Sequence, residues 1–164
     1  MKIAFLVIDL QKAYRDERTE HSMDEACEYI NATLPLFRRK GLPIAWIQHH
    51  DDDDGASPGQ PGFELLDALV PEPAEFRVTK RYGNSFNKTG LDEYLRSRGV
   101  DTLLIAGYCA EYCVLSTYRG ALDLDYAPMM LKRAVASDDR DHARMVEDIS
   151  TVISYGALKK FMTA

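Results

Sequence analysis

The chain of 164 residues lacks a long apolar run, an excess of basic residues and an even number of cysteines. No stretch of eighteen or more apolar residues occurs, and so we expect no membrane-spanning segment and no membrane partner. Lys and Arg number 20 against 26 Asp and Glu, and the net charge of −6 argues against a nucleic-acid partner. Three cysteines without a secretion signal indicate free thiols in a reducing compartment, which predicts a cytoplasmic protein.

The chain does contain short apolar runs that alternate with helical patterns along its whole length. The runs at 2–8, 43–48, 75–79, 102–106 and 127–132 predict buried parallel strands, and 133–136 is the best candidate for a sixth. This alternation specifies right-handed βαβ crossovers. It predicts one α/β domain over residues 1–164 with a mostly parallel sheet.

Helices are predicted between these strands. Ser22 and Glu25 fit a capping box at the start of a helix that Gly41 ends. Further helices are predicted at 63–70, 91–98 and 110–124, and a last one after Asp139 with a break near Gly156.

Three polar residues stand at the ends of predicted strands. Asp9 follows the first strand, Lys80 follows the third, and Cys113 lies near the start of the helix after the fourth. Because ligands of open parallel sheets bind beyond the carboxyl ends of the strands, we expect the three to share one crevice. There a carboxylate can accept the thiol proton, while the lysine and the helix start stabilise a thiolate. Taken alone, Cys113 is more typical of a core cysteine and Lys80 of a surface lysine, and Asp9 is as readily a turn residue; together they favour a site.

Four segments of the chain resemble the isochorismatase-like cysteine hydrolases, the superfamily that includes nicotinamidases and N-carbamoylsarcosine amidases. They are VIDLQ at 7–11, KRYGNSF at 80–86, LLIAG at 103–107 with the residues around Cys113, and the loop at 48–65. The resemblance implies a three-layer α/β sandwich around a mostly parallel, six-stranded Rossmann-like sheet. It also implies a catalytic triad of Asp9, Lys80 and Cys113. Cys113 would be the nucleophile, Asp9 the proton acceptor that later protonates the leaving amine, and Lys80 the group that lowers the thiol pKa.

The resemblance also implies a cis peptide bond between Tyr108 and Cys109. The backbone N–H groups of Cys109 and Cys113 would then form an oxyanion hole. Side chains that follow or adjoin the matching segments are candidates for lining a cleft for a small planar amide, with core packing as the alternative for each. The candidates are Gln11, Tyr14, His49, Tyr82, Phe86, Tyr108 and Tyr112.

The acidic run that begins at His49 and His50 and ends at Asp54 raises the possibility of a metal site. Adjacent residues of an extended chain point to opposite sides, so the two histidines do not suit one ion. Consecutive aspartates are more typical of a solvated loop. We therefore expect no metal and no other cofactor, although nicotinamidases of this superfamily hold a metal.

Other reactive residues have plainer explanations. Cys109 and Cys113 stand four apart, but no further cysteine is near enough in sequence to suggest a metal or redox site. Cys27 falls within the first helix and is expected to pack there. His142 is expected to have a surface or capping role rather than to form a Cys–His dyad.

The sequence predicts a hydrolase that cleaves the C–N bond of a small amide or carbamoyl compound through a thioester intermediate. One alternative is the isochorismatase reaction, a vinyl-ether C–O hydrolysis that needs no thiol. Others are a metal-dependent, nicotinamidase-like amidase and a non-enzymatic binding or scaffold protein. The resemblance further implies a homodimer or a higher homo-oligomer.

Overall fold

The structure, a computed structural model, describes residues 1–164. Six parallel strands form one sheet: β1 (Ile3–Ile8), β2 (Ile44–His49), β3 (Phe76–Lys80), β4 (Thr102–Tyr108), β5 (Ala127–Ala136) and β6 (Val152–Ile153). Their order is β3-β2-β1-β4-β5-β6, so that successive strands are added on one side of β1 up to β3 and on its other side from β4 onward. This reversal creates a switch point at the carboxyl ends of β1 and β4.

Helices cover both faces of the sheet. They are α1 (Glu20–Arg39), α2 (Leu91–Ser97), α3 (Leu115–Asp123), α4 (Arg140–Asp148) and α5 (Tyr155–Thr163). Apolar side chains of α1 and α5 join one core cluster, and those of α2, α3 and α4 join a second. Strand β1 contributes side chains to both clusters, since Phe5 lies in the first and Leu6 in the second. The predicted three-layer α/β sandwich is therefore confirmed. None of the five helices combines the length and the apolar character that a membrane span requires.

The sixth strand is not where the sequence predicted it. Residues 133–136 continue β5, which bends at a register shift against β4 and carries Arg133 at a φ of +67°. The edge strand is instead β6, of only two residues, between the two helices that follow β5. A strand this short contains too few residues to show an apolar pattern.

The predicted helix at 63–70 does not form. A single 3₁₀ turn, Pro61–Phe63, is followed by irregular backbone whose hydrogen bonds go to the segment after β1. The Leu66 N–H donates to the carbonyl of Leu10, and the Lys12 N–H donates to the carbonyl of Glu64. Buried leucines at 65, 66 and 69 give this segment a helix-like spacing, although it packs as an irregular segment.

The first helix begins earlier than predicted. Glu20 is its first residue, with Thr19 at the N-cap, and the helix runs through Pro35 to Arg39. The Ser22 hydroxyl accepts a hydrogen bond from the Ser137 N–H at 3.0 Å and so ties α1 to the end of β5 instead of capping the helix.

Candidate active site

Asp9 stands directly after β1, at the switch point of the sheet. Its φ of +52° lies in the left-handed region, which aspartate adopts more readily than most residues. Its N–H donates to the Ile47 carbonyl of the neighbouring strand at 2.9 Å. The residue is 2% exposed, so its carboxylate is held inside the protein rather than in solvent.

Lys80 is the last residue of β3, and its ammonium contacts the polar groups of this site. Its Nζ donates to Asp9 Oδ2 at 2.8 Å and to Cys113 Sγ at 3.4 Å, and lies 2.9 Å from His49 Nδ1. The side chain has no exposed surface. The structure thus brings together the three residues that the sequence placed at strand ends.

The segment between β4 and α3 carries Cys113. The strand passes through Gly107, whose φ is +135° and whose missing Cβ would lie 2.1 Å from the carbonyl oxygen of Ile8. Only glycine permits so close an approach of two backbones. The next peptide bond, between Tyr108 and Cys109, is cis, as the resemblance implied. A π-helical turn, Ala110–Val114, then presents Cys113 to the crevice.

Burial governs the proton affinities of the site. Burial raises the pKa of the Cys113 thiol to about 12, the Asp9 charge adds to this effect, and Lys80 opposes it. Burial also raises the pKa of Asp9 against the opposing effect of Lys80. Lys80 lowers the thiol pKa, as the resemblance implies, but burial and the Asp9 charge outweigh it. A thiol that keeps its proton beside a carboxylate suits proton transfer during attack rather than a standing thiolate.

One carboxylate oxygen of Asp9 is free to take that proton. Oδ2 binds Lys80, whereas Oδ1 is buried and has no hydrogen-bond partner by distance and angle. The Cys113 thiol interacts with the carboxyl group and lowers its pKa, in opposition to burial. A carboxylate oxygen of Asp9, the Cys113 sulfur and a ring nitrogen of His49 lie within 4.8 Å of one another. These three groups would suit a metal by type. However, the Lys80 ammonium contacts all three, and its positive charge disfavours a cation there.

A cavity of about 270 Å³ opens beside the triad. It is lined by Asp9, Tyr14, His49, Asp51, Asp54, Tyr108, Cys109, Tyr112, Cys113 and Asp138. Four of the seven predicted lining side chains are thus in place. A larger depression of about 760 Å³ runs along α1, is open to solvent and holds none of the three triad side chains.

The structure places the other three predicted lining residues elsewhere. Gln11 is buried and clamps the end of β2: its Nε2 donates to the His49 carbonyl and its Oε1 accepts the His49 N–H. Tyr82 is 43% exposed, with its hydroxyl bound by Lys88. Phe86 stacks on Tyr126 at a centroid distance of 5.7 Å, and so packs in the core.

Three aspartates of the cavity wall were not predicted from the sequence. Asp51 and Asp54 belong to the acidic run, whose composition favours a solvated loop, and Asp138 follows β5. The Asp51 carboxylate accepts the N–H groups of Asp53 and Asp54 and thereby shapes the loop. The position of Asp138 after the fifth strand was the available signal, by the same rule that identified Asp9 and Lys80.

The remaining candidates lie apart from the triad. His50 contacts Asp52 rather than joining His49. His142 Nδ1 lies 2.9 Å from Glu111, not beside a cysteine. Cys27 is buried in α1, where burial raises its thiol pKa to about 11.

Comparison with known proteins identifies the family. Residues 3–154 match the isochorismatase domain. The chain belongs to the isochorismatase family. This confirms the resemblance seen in the four sequence segments.

Named relatives of this isochorismatase-family chain include two bacterial proteins. It is 30% identical to the uncharacterized isochorismatase family protein YrdC of Bacillus subtilis strain 168 over 155 residues, which cover 92% of this chain and 83% of that protein. It is 31% identical to the ureidoacrylate amidohydrolase RutB of Enterobacter sp. strain 638 over 172 residues, covering 80% and 74% of the two chains.

A solved structure of the isochorismatase type shares the fold. The N-carbamoylsarcosine amidase of Thermoplasma acidophilum superposes with a TM-score of 0.82 at 26% identity, covering 94% of this chain and 97% of that chain. The relatives' names indicate hydrolases, and two of them indicate amide hydrolases.

Proposed function

We propose that this protein is a cysteine hydrolase that cleaves the C–N bond of a small amide or carbamoyl compound through a thioester on Cys113. The observation that carries the proposal is the contact of the Lys80 ammonium with both Asp9 and Cys113, beside a buried Asp9 oxygen that has no partner. The amidohydrolase and amidase named among the relatives support the same chemistry.

In the first step, the Cys113 sulfur attacks the carbonyl carbon while its proton passes to Asp9 Oδ1. An S–C bond forms and the carbonyl π electrons move onto oxygen, where the backbone N–H groups of Cys109 and Cys113 stabilise the charge. One such donor contributes roughly 10²–10³ in rate. The Lys80 ammonium holds the other carboxylate oxygen, so that Asp9 keeps its orientation through the transfer.

In the second step, the oxyanion collapses and the C–N bond breaks. Asp9 returns its proton to the nitrogen, which leaves as ammonia or an amine. Asp9 then takes a proton from water, and the resulting hydroxide attacks the thioester carbon. The C–S bond breaks, the acid is released, and the proton on Asp9 returns to the Cys113 sulfur.

The cavity distinguishes this proposal from its alternatives. A vinyl-ether hydrolysis would make no use of the Cys113 thiol, which faces the cavity and contacts Lys80. A scaffold protein would gain nothing from a buried carboxylate oxygen left without a partner, which costs about 1–3 kcal/mol of stability.

The test is ammonia release from a panel of nicotinamide, carbamoyl amino acids, ureido compounds and small aliphatic amides. We expect Cys113→Ala to lower kcat/KM by at least about 10³-fold. Cys27→Ala is the matched control, since Cys27 is a free thiol that lies in α1 away from the cavity. Ammonia release that survives Cys113→Ala would contradict the nucleophile assignment. A wild-type protein that releases ammonia from no amide would contradict the proposed reaction and favour the scaffold alternative.

A further inference from the structure

The walls of the 270 Å³ cavity carry negative charge and no free positive charge. Asp51, Asp54 and Asp138 line it together with the triad, while no arginine or lysine is among its lining residues. Lys80, behind the cavity, is bound to the carboxylate of Asp9. Burial and the neighbouring Lys80 lower the pKa of His49, so this imidazole is neutral at pH 7.

The aspartates that line the cavity are poorly neutralised by the protein itself. Neither Asp51 nor Asp54 has a cationic side chain within 4.0 Å. Asp138 lies 3.7 Å from the largely exposed Arg18 and within 4.8 Å of His142, whose pKa is raised by its hydrogen bond to Glu111 and by the nearby aspartates. Asp52, in the same loop but outside the cavity, behaves differently. Its carboxylate is bound by His50, Ser57 and Arg81. The loop thus pairs Asp52, which does not line the cavity, with the cationic Arg81, whereas Asp51 and Asp54 have no cationic partner.

Aromatic rings and two unpaired polar atoms complete the site. Tyr14 and Tyr108 stack with centroids 5.7 Å apart, and Tyr112, 68% exposed, stands at the opening. The faces of such rings attract organic cations. The Tyr14 hydroxyl and Asp9 Oδ1 are buried and lack hydrogen-bond partners. The Asp9 side chain as a whole is only 3% exposed. Unpaired buried acceptors in a cavity wall are positions where a ligand donor is expected to bind.

We propose that the cavity selects small amides that carry an ammonium or a similar organic cation on the part of the molecule away from the scissile bond. Asp54 and Asp138 are the specificity-determining residues. The inference rests on the proposed function, because the amide must reach Cys113 while its cation lies against these carboxylates. A substrate with a carboxylate in that position would meet three like charges and no free partner.

The test compares three amides of nearly equal length: 4-aminobutanamide (cation), pentanamide (neutral) and succinamate (anion). We expect kcat/KM to fall in that order, with about a tenfold advantage of the cation over the neutral amide, equivalent to about 1.4 kcal/mol. The variant Asp54→Asn/Asp138→Asn should lower the cation-to-neutral ratio to near one. Asp53→Asn is the matched control, since it removes one charge from the same loop at an exposed residue outside the cavity, and should leave the ratio unchanged.

Equal kcat/KM values for the three amides, or a ratio that survives the double variant, would overturn this inference while leaving amide hydrolysis intact. If no amide is hydrolysed, the proposed function fails and binding decides the inference. Calorimetry on Cys113→Ala protein should then show butylammonium binding at least about tenfold more tightly than butanoate, and the double variant should lose the difference. Equal binding of the two ions, or no binding of either, would overturn it.

Discussion

Lys80 determines how the other two triad residues are arranged. Its ammonium is fully buried and engages Asp9 Oδ2, which leaves Oδ1 as the carboxylate oxygen that can accept the thiol proton. A lysine at this depth is stable only because Asp9, His49 and Cys113 surround it with acceptors. The same contacts therefore support both stability and the proposed chemistry.

Replacing Lys80 should damage stability as well as activity. Lys80→Met leaves Asp9 as a buried charge without a partner, and we expect a loss of about 3 kcal/mol in the free energy of unfolding at pH 7. Burial already raises the pKa of Asp9, and removal of Lys80 raises it further. An acid with a raised folded-state pKa contributes stability below its unfolded pKa and loses it as pH rises. The penalty should accordingly grow from pH 4 toward pH 7, as measured by urea denaturation.

The double variant Asp9→Asn/Lys80→Met is the control for this effect. It removes the unpaired charge, and we expect it to recover most of the lost stability but none of the activity. If the single and double variants unfold at the same urea concentration at pH 7, the unpaired charge of Asp9 is not the cause of the lost stability.

His49 and His142 should affect the pH dependence of stability in opposite directions. Burial and Lys80 lower the pKa of His49 from 6.5. Its contribution to the free energy of unfolding is therefore present above 6.5 and is lost as pH falls from 6.5 through its folded-state pKa. The hydrogen bond to Glu111 raises the pKa of His142, so its contribution is present below 6.5 and is lost as pH rises through its folded-state pKa. Unfolding of His49→Gln between pH 5 and 7.5 should show less destabilisation by acid than the wild type. His142→Gln should show more, and equal slopes in the two variants would contradict these assignments.

At the scale of single elements, the contact between β1 and β4 positions the site. Gly107 pairs with Ile8 across this contact, and a Cβ added to it would lie 2.1 Å from the carbonyl oxygen of Ile8. Its positive φ also disfavours any residue with a side chain. We expect Gly107→Ala to lower the free energy of unfolding by at least about 2 kcal/mol, through backbone strain and displacement of β4.

Gly156 provides a matched control for that substitution. It lies in α5, and a Cβ added there would meet no atom within 4 Å, so Gly156→Ala should stabilise the protein by up to about 1 kcal/mol. Thermal or urea denaturation measures both variants. A Gly107→Ala protein as stable as the wild type would show that the β1–β4 contact can relax.

Five strands were predictable because a strand buried on both faces is a continuous apolar run. Most helices were predictable from the patterns and caps between those runs. The segment at 63–70 was not, since its buried leucines have a helical spacing while its backbone bonds to the chain after β1. The two-residue β6 gave no pattern. Strand-end rules located Asp9 and Lys80, but the pKa direction of Cys113 depends on burial, which only the folded structure provides.

At the scale of the whole molecule, self-association stays a prediction that the family resemblance supplies. We expect sedimentation at micromolar concentration to give a mass that is a multiple of 18.5 kDa, two or more. A single species of 18.5 kDa would contradict it.

The central claim, a thioester on Cys113, is tested most directly by trapping. During turnover of the best amide of the panel, hydroxylamine should divert part of the acyl group to a hydroxamate. Mass spectrometry of acid-quenched protein should locate the acyl mass on the peptide that contains Cys113. Ammonia release without hydroxamate and without any acyl mass on Cys113 would contradict the account.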